Sequence, residues 1–227
     1  MNNTSEKPKN TVYDATAKIL GSLAKTLETG RTKAVLARLR NSIGRDISQT
    51  SDVWPEVFAN MPERFLSQDG NPTDEEKAIF AALQLYALHQ QGRNEPVHEC
   101  FKSEKTNELS DKKSSEEQDE RQLKSGSGFN IGNSLSSLSK GEASESIDKR
   151  FNAMITSATF EEMLVHLRHL ISILKSKDKT QTVDYARLAD DFFWFLKNSK
   201  EQVRLRWGEG YYYRTNKKQD EKGVKND

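Results

Sequence analysis

The sequence predicts an all-α protein: two small helical bundles, one N-terminal and one C-terminal, joined by a mobile charged insert. Three observations carry that reading. Apolar residues recur at spacings of three and four wherever the chain is rich in them, no stretch sustains a period of two, and one long charged segment lacks aromatic residues. The boundaries that follow are 1–91 for the N-terminal bundle, 92–142 for the insert, 143–214 for the C-terminal bundle and 215–227 for a polar tail.

Val12, Thr16, Ile19, Leu20, Leu23 and Leu27 share one face of a first helix that ends at Gly30. A second helix in TKAVLARLRNSIG turns Val35, Leu36, Leu39 and Ile43 inward and closes at Gly44. DVWPEVFANMP reads as a helical turn around Trp54 and Phe58, because proline is tolerated in a first turn. Thr73 and Glu76 have capping-box spacing and open a helix that is apolar almost all round, through Ile79, Phe80, Leu83, Leu85, Tyr86 and Leu88. Such a helix belongs at the centre of a bundle.

From Gly92 to Glu142 the periodicity dissolves. KSEKTNELSDKKSSEEQDERQLKSGSG offers too little apolar surface to offset the entropy of ordering, which predicts a disordered insert. Order returns with Ile147, Phe151, Met154 and Ile155. A second capping box, Thr159 with Glu162, opens a helix striped by Phe160, Met163, Leu164, Leu167, Leu170, Ile171 and Leu174. DYARLADDFFWFLKN follows with Tyr185, Leu188, Phe192, Phe195 and Leu196 inward, then a last helix from Ser199 that carries Val203 and Trp207.

The chain has 227 residues, a single cysteine and a formal net charge of +1. Cys100 alone forms no internal disulfide and no cysteine-built metal site, which suits a reducing, cytoplasmic setting. No apolar run approaches the roughly 18 residues of a membrane span, and MNNTSEKPKN lacks a signal-peptide core. The near-zero net charge argues against a generic polyanion binder, but its distribution is uneven. Residues 1–68 carry ten Lys/Arg against seven Asp/Glu, residues 147–214 carry twelve against nine, and the middle is acidic.

Arg168 and Lys175, seven residues apart, lie on one flank beside the apolar stripe of their helix. Their stems can simply cover the edge of a core, or their heads can meet phosphates. Arg40, Lys149, Arg150, Arg204 and Arg206 add basic side chains on other helices. A basic groove with rings nearby is what a nucleic-acid strand requires. Tyr211, Tyr212 and Tyr213 fit either base stacking or the packing of a terminal helix.

Trp194, opposite the apolar face of its helix, fits a second packing layer or a protein interface. Arg187 would join it at such an interface. His89 reads as a core histidine, and His166 with His169 as solvated residues, since HxxH without a third ligand makes no metal site. Asp190 and Asp191 read as a wet face. No phosphate-cradling glycine loop, nucleophile elbow or HExxH is present, so no catalytic residue, cofactor or metal is expected.

The order of DKRFNAMI (148–155), HLRHLI (166–171), DYARLADDFFWF (184–195) and VRLRWGEGYYY (203–213) resembles the CasB family, the small subunit of the type I-E CRISPR-associated Cascade complex. LARLRNSIG (36–44), FAALQLYALHQQG (80–92) and GFNIGNSLSSL (128–138) are similar to the family's arginine-bearing helix, alanine-rich helix and glycine-containing turn. Asn133 and His169 stand where the family often has basic residues, and each removes a potential phosphate contact.

The resemblance implies a non-catalytic, all-helical subunit of an RNA-guided antiviral complex. Its expected partners are the backbone and large subunits, a second copy of itself, and the target DNA opened by the CRISPR RNA. Arg40, Lys149, Arg150, Arg168, Lys175, Arg204 and Arg206 would then contact DNA backbone and stabilise the R-loop, whose formation is close to energetically balanced. The alternative is a protein-interaction scaffold that uses Arg187 and Trp194 to dock neighbouring subunits.

Overall fold

Thr11 caps the first helix. Its hydroxyl accepts the N–H of Asp14 while the Asp14 carboxylate accepts the N–H of Thr11, a reciprocal cap on the first helix. The structure, a computed structural model, describes residues 11–99, 130–139, 144–177 and 179–223, with side chains as far as Tyr213. Among these residues the helices are α1 (Val12–Lys25), α2 (Gly30–Asn41), α3 (Trp54–Phe58), α4 (Asp74–Gln90), α5 (Ile131–Leu135), α6 (Ser144–Thr156), α7 (Phe160–Lys177), α8 (Tyr185–Leu196) and α9 (Lys200–Gly223). No β-strand occurs among the described residues, as the sequence predicts.

The chain forms two units whose boundaries differ from the expected ones. The first comprises the residues up to His98 together with Tyr185–Glu201; the second comprises Glu99–Asp184 and the chain from Gln202 onward. The helix expected in a C-terminal bundle of residues 143–214 therefore belongs to the N-terminal unit. Its packing explains why. Helix α4 buries nearly every side chain from Ala78 to Gln90, so α2 alone cannot cover it, and α8 packs along both α4 and α1. Burying Tyr185, Leu188, Phe192 and Phe195 gains about 1.5–3 kcal/mol for each of the larger side chains.

Gly30 does not end α1. The chain turns at Thr26, whose N–H reaches the carbonyls of Leu23 and Ala24, and Thr29 then caps α2 with Gly30 as its first residue. Helix α4 carries the predicted capping box. The Glu76 carboxylate accepts the Thr73 N–H at 2.8 Å and also the Ser67 N–H at 3.2 Å, which accounts for its burial. The Gln84 amide donates to the Ser42 carbonyl at 2.7 Å and ties α4 to the end of α2.

His89 is fully buried, as read from the sequence, with its Nδ1 3.0 Å from the Tyr185 hydroxyl. The Tyr86 ring meets that of Tyr185 edge-on at 5.6 Å. Burial pushes the Tyr86 phenol up to about 12 and the Tyr185 phenol well above its ordinary value. Asp191 overturns the reading of a wet face: it is fully buried, with Arg187 Nε 3.7 Å from its carboxylate. Arginine four residues earlier supplies the compensating charge that a buried carboxylate needs.

The expected insert is narrower than residues 92–142. The Gln90 side chain fastens residues 93–97 by donating to the carbonyls of Arg93 and Glu95 and accepting the Val97 N–H. Residues 130–139 form α5 and a following 3-10 turn, with Ile131, Leu135 and Leu138 buried. Residues 100–129 and 140–142 of the insert lie outside the described residues. The tail is shorter too, because α9 runs to Gly223.

In the second unit α6 packs against α7. The Thr159 hydroxyl accepts the Glu162 N–H at 3.1 Å, but the Glu162 carboxylate returns to the Ala158 N–H at 2.7 Å, one residue earlier than a strict capping box. Helix α5 is clamped to α9 by two asparagines. Asn130 donates to the Arg206 carbonyl at 2.9 Å and Asn133 to the Gly210 carbonyl at 3.1 Å. Asn130 also caps α5, accepting the Gly132 N–H at 2.8 Å.

Candidate nucleic-acid interface

The predicted basic residues fall in both units. Arg40 is on α2 of the first. The other six are in the second: Lys149 and Arg150 on α6, Arg168 and Lys175 on α7, Arg204 and Arg206 on α9.

Within the second unit their environments differ. Arg150 and Arg168 are exposed, and neither has an ion-pair partner among the described residues. Lys149 is exposed as well, but its Nζ lies 2.7 Å from the Glu145 carboxylate one turn earlier. Such an exposed pair contributes little to stability and reduces the local charge available to a phosphate. Lys175 is half-buried at the edge of the α7 core stripe and has contacts within the chain.

Arg204 is a structural tie. Its guanidinium donates to the Ser157 carbonyl, just past the end of α6, where carbonyls lack intrahelical partners. Arg206 is half-buried and engaged within the chain, while its backbone carbonyl receives Asn130. The second unit thus presents two kinds of arginine: solvated ones on α6 and α7, and bound ones on α9.

The tyrosine run divides in the same way. Tyr211 is buried, stacked on Phe151 with centroids 3.9 Å apart and planes 8° from parallel. Its hydroxyl donates to Asp148 at 2.7 Å, and burial, reinforced by that bond, raises its pKa. Asp148 also accepts the Ser139 hydroxyl. Tyr212 donates to Asn152 at 2.8 Å, and Tyr213 is exposed. Packing accounts for Tyr211, so base stacking by that ring is excluded.

Asn133 has a role that sequence reasoning missed. A lost phosphate contact is the expectation, whereas its amide clamps α5 to α9. The readable signal is the pair of asparagines three apart together with Gly210, since an amide clamp to a helix backbone needs a small residue opposite it. His166 and His169 are half-buried and exposed, and no group of metal-ligating side chains occurs among the described residues. No described helix is long and apolar enough to cross a membrane.

In the first unit Arg187 is committed to Asp191, but Trp194 is 44% exposed. It stands at a shallow groove of about 300 Å³ that it shares with Val12, Phe65 and Phe193.

This two-unit helical architecture is the fold of CasB. The crystal structure of CasB from Thermobifida fusca superposes with a TM-score of 0.61 at 23% identity, covering 88% of this chain and 97% of that one. CasB from M. ruber gives 0.59 at 18% identity over 92% and 97%. A CRISPR-associated protein of the Cse2 family from Thermus thermophilus gives 0.56 at 20% identity over 87% and 97%. No curated protein matches the chain. The family described as CRISPR-associated protein Cse2 matches residues 35–212, and the chain belongs to that family. Cse2 proteins are subunits of the multisubunit Cascade complex of CRISPR defence.

Proposed function

We propose that this chain serves as the non-catalytic small subunit of a type I-E Cascade complex and contacts the phosphate backbone of the DNA strands opened by the CRISPR RNA. One observation carries the finer part of this reading. Arg150 and Arg168 stand solvated on helices that pack together, with no acid of the described chain to neutralise them. Side chains so placed position a polyanion without reading its sequence. Lys149, Lys175 and Arg206 supplement them in the second unit, and Arg40 supplies a separate cation in the first. Arg204 contributes by holding the α6–α7 turn.

Exchange of a DNA duplex for an RNA–DNA heteroduplex is near energetic balance, so a few backbone contacts tip it. The partners are the backbone and large subunits, a second copy of this chain and the displaced or target strand. The test is target binding by the reconstituted complex at several salt concentrations. Arg150→Glu and Arg168→Glu should each lower the log–log salt slope by roughly one. An unchanged slope with the subunit retained overturns the reading.

A further inference from the structure

The loop that leads into α4 holds a reactive dipeptide. Asp69 precedes Gly70, and in such a pair the second nitrogen can attack the aspartate side chain, because glycine has no side chain to shield it. Gly70 has a φ of +84°, and a Cβ there would meet nothing within 4 Å, so the backbone conformation rather than crowding calls for glycine.

Two neighbours engage both reacting groups. The Ser67 hydroxyl accepts the Gly70 N–H at 2.9 Å and donates to the Asp69 carboxylate at 3.2 Å. Asn71 donates to that carboxylate twice, from its side-chain amide at 3.0 Å and from its backbone N–H at 2.9 Å. These bonds, those of Asn71 first and that of Ser67 after them, hold the Asp69 carboxyl below its ordinary pKa. The nucleophile is therefore tied up, and the electrophile is kept ionised, the form that cannot lose its oxygen as water.

We propose that Asp69–Gly70 is a modification site that isomerises spontaneously to isoaspartate, and that Ser67 and Asn71 hold this conversion back. The Gly70 nitrogen bonds to the Cγ of the protonated Asp69 carboxyl, whose hydroxyl leaves with the amide proton as water, and a cyclic imide closes. Water then adds at the former main-chain carbonyl carbon and breaks its bond to the Gly70 nitrogen. That carbon becomes a free carboxylate, and Cγ becomes the backbone link. Charge is unchanged, but the main chain gains Cβ as an extra atom. The extra atom falls inside a loop that is closed on α4. The Thr73 hydroxyl donates to the Phe65 carbonyl at 2.7 Å, and the Ser67 N–H donates to the Glu76 carboxylate at 3.2 Å. Conversion thus pulls on the cap of α4.

The test incubates the full chain at mildly acid pH beside Ser67→Ala, Asn71→Ala and the parent unfolded in urea. Both side chains bond only within the turn, so neither variant removes a core contact. Isoaspartate is read as methyl label transferred from S-adenosylmethionine by an isoaspartate methyltransferase and placed by mass spectrometry. The folded parent should convert about tenfold more slowly than the chain in urea, and each variant about fivefold faster than the folded parent, the factor that one ordinary hydrogen bond represents. The variants should also stay reactive to higher pH, because a carboxyl that has lost a donor keeps its proton longer.

A folded parent that converts as fast as the unfolded chain overturns the proposal, as do variants no faster than the parent. So does a label that falls only on other residues, or one at this position that persists in Asp69→Glu, whose longer side chain closes such a ring far more slowly. Converted chains should unfold at a lower urea midpoint than unconverted ones, and equal midpoints overturn the coupling to α4.

Discussion

Gly132 approaches Trp207 so closely that a Cβ on the glycine would lie 2.0 Å from the tryptophan's carbonyl oxygen. That oxygen belongs to the backbone of α9 and cannot move aside. Gly132→Ala should therefore destabilise the protein by about 1–3 kcal/mol, read as a lower denaturant midpoint with an unchanged m-value. At Gly210 a Cβ would instead meet the side-chain oxygens of Asn130 and Asn133, at 2.7 and 2.8 Å. Those amides can swing away only at the expense of their hydrogen bonds, so Gly210→Ala should cost about 1 kcal/mol per bond lost.

The two kinds of arginine predict opposite phenotypes. Arg204→Ala removes the donor to the Ser157 carbonyl and should lower stability by about 1–3 kcal/mol. Arg168→Ala should change stability by less than about 0.5 kcal/mol, because its side chain is solvated. Thermal unfolding of the isolated subunit separates them before any DNA is added.

Tyr86 and Tyr185 touch edge-on but differ at their hydroxyls. That of Tyr86 is buried without a hydrogen-bond partner among the described residues, whereas that of Tyr185 meets His89 at 3.0 Å. Tyr86→Phe should be neutral or stabilising by about 1 kcal/mol, and Tyr185→Phe destabilising by about 1–2 kcal/mol. Equal losses in both variants would sink the distinction.

Alkaline unfolding follows from the same burial. Tyr86, Tyr185 and Tyr211 all have folded-state pKa values above the usual tyrosine value of about 10. Below pH 10 these phenols are protonated in both states and stability is flat. Above pH 10 the unfolded chain releases protons that the folded chain keeps, so stability falls, for Tyr86 until about pH 12. Each such tyrosine contributes a slope of about 1.4 kcal/mol per pH unit. Urea midpoints measured from pH 8 to 11.5 should show the break near 10, and Tyr86→Phe should make the fall shallower.

Helix periodicity and capping boxes made the elements legible in advance, because both are local: the stripe of α7 and the Thr73–Glu76 cap are read from neighbours in sequence. The partition into units was not legible. That α4 is apolar all round says it needs covering on two sides, but nothing near residue 80 says that residues 185–196 provide the second cover. The same limit applied to the basic residues. Spacing puts Arg168 beside an apolar stripe and Arg204 on another helix, and only the fold distinguishes a guanidinium held by Ser157 from one left in water. Asp191, next to a second aspartate, looks solvated in sequence until Arg187, one turn earlier, is seen against it in the fold.

The late return of α8 has a bearing on synthesis. A ribosome must polymerise the whole of Glu99–Asp184 before the segment that completes the first hydrophobic core emerges. Until then α1 and α4 have a bare apolar side, and nascent chains stalled earlier are natural clients for chaperones. Closing so long an excursion adds only logarithmically to the entropy of folding, so the arrangement burdens the order of events more than the final stability.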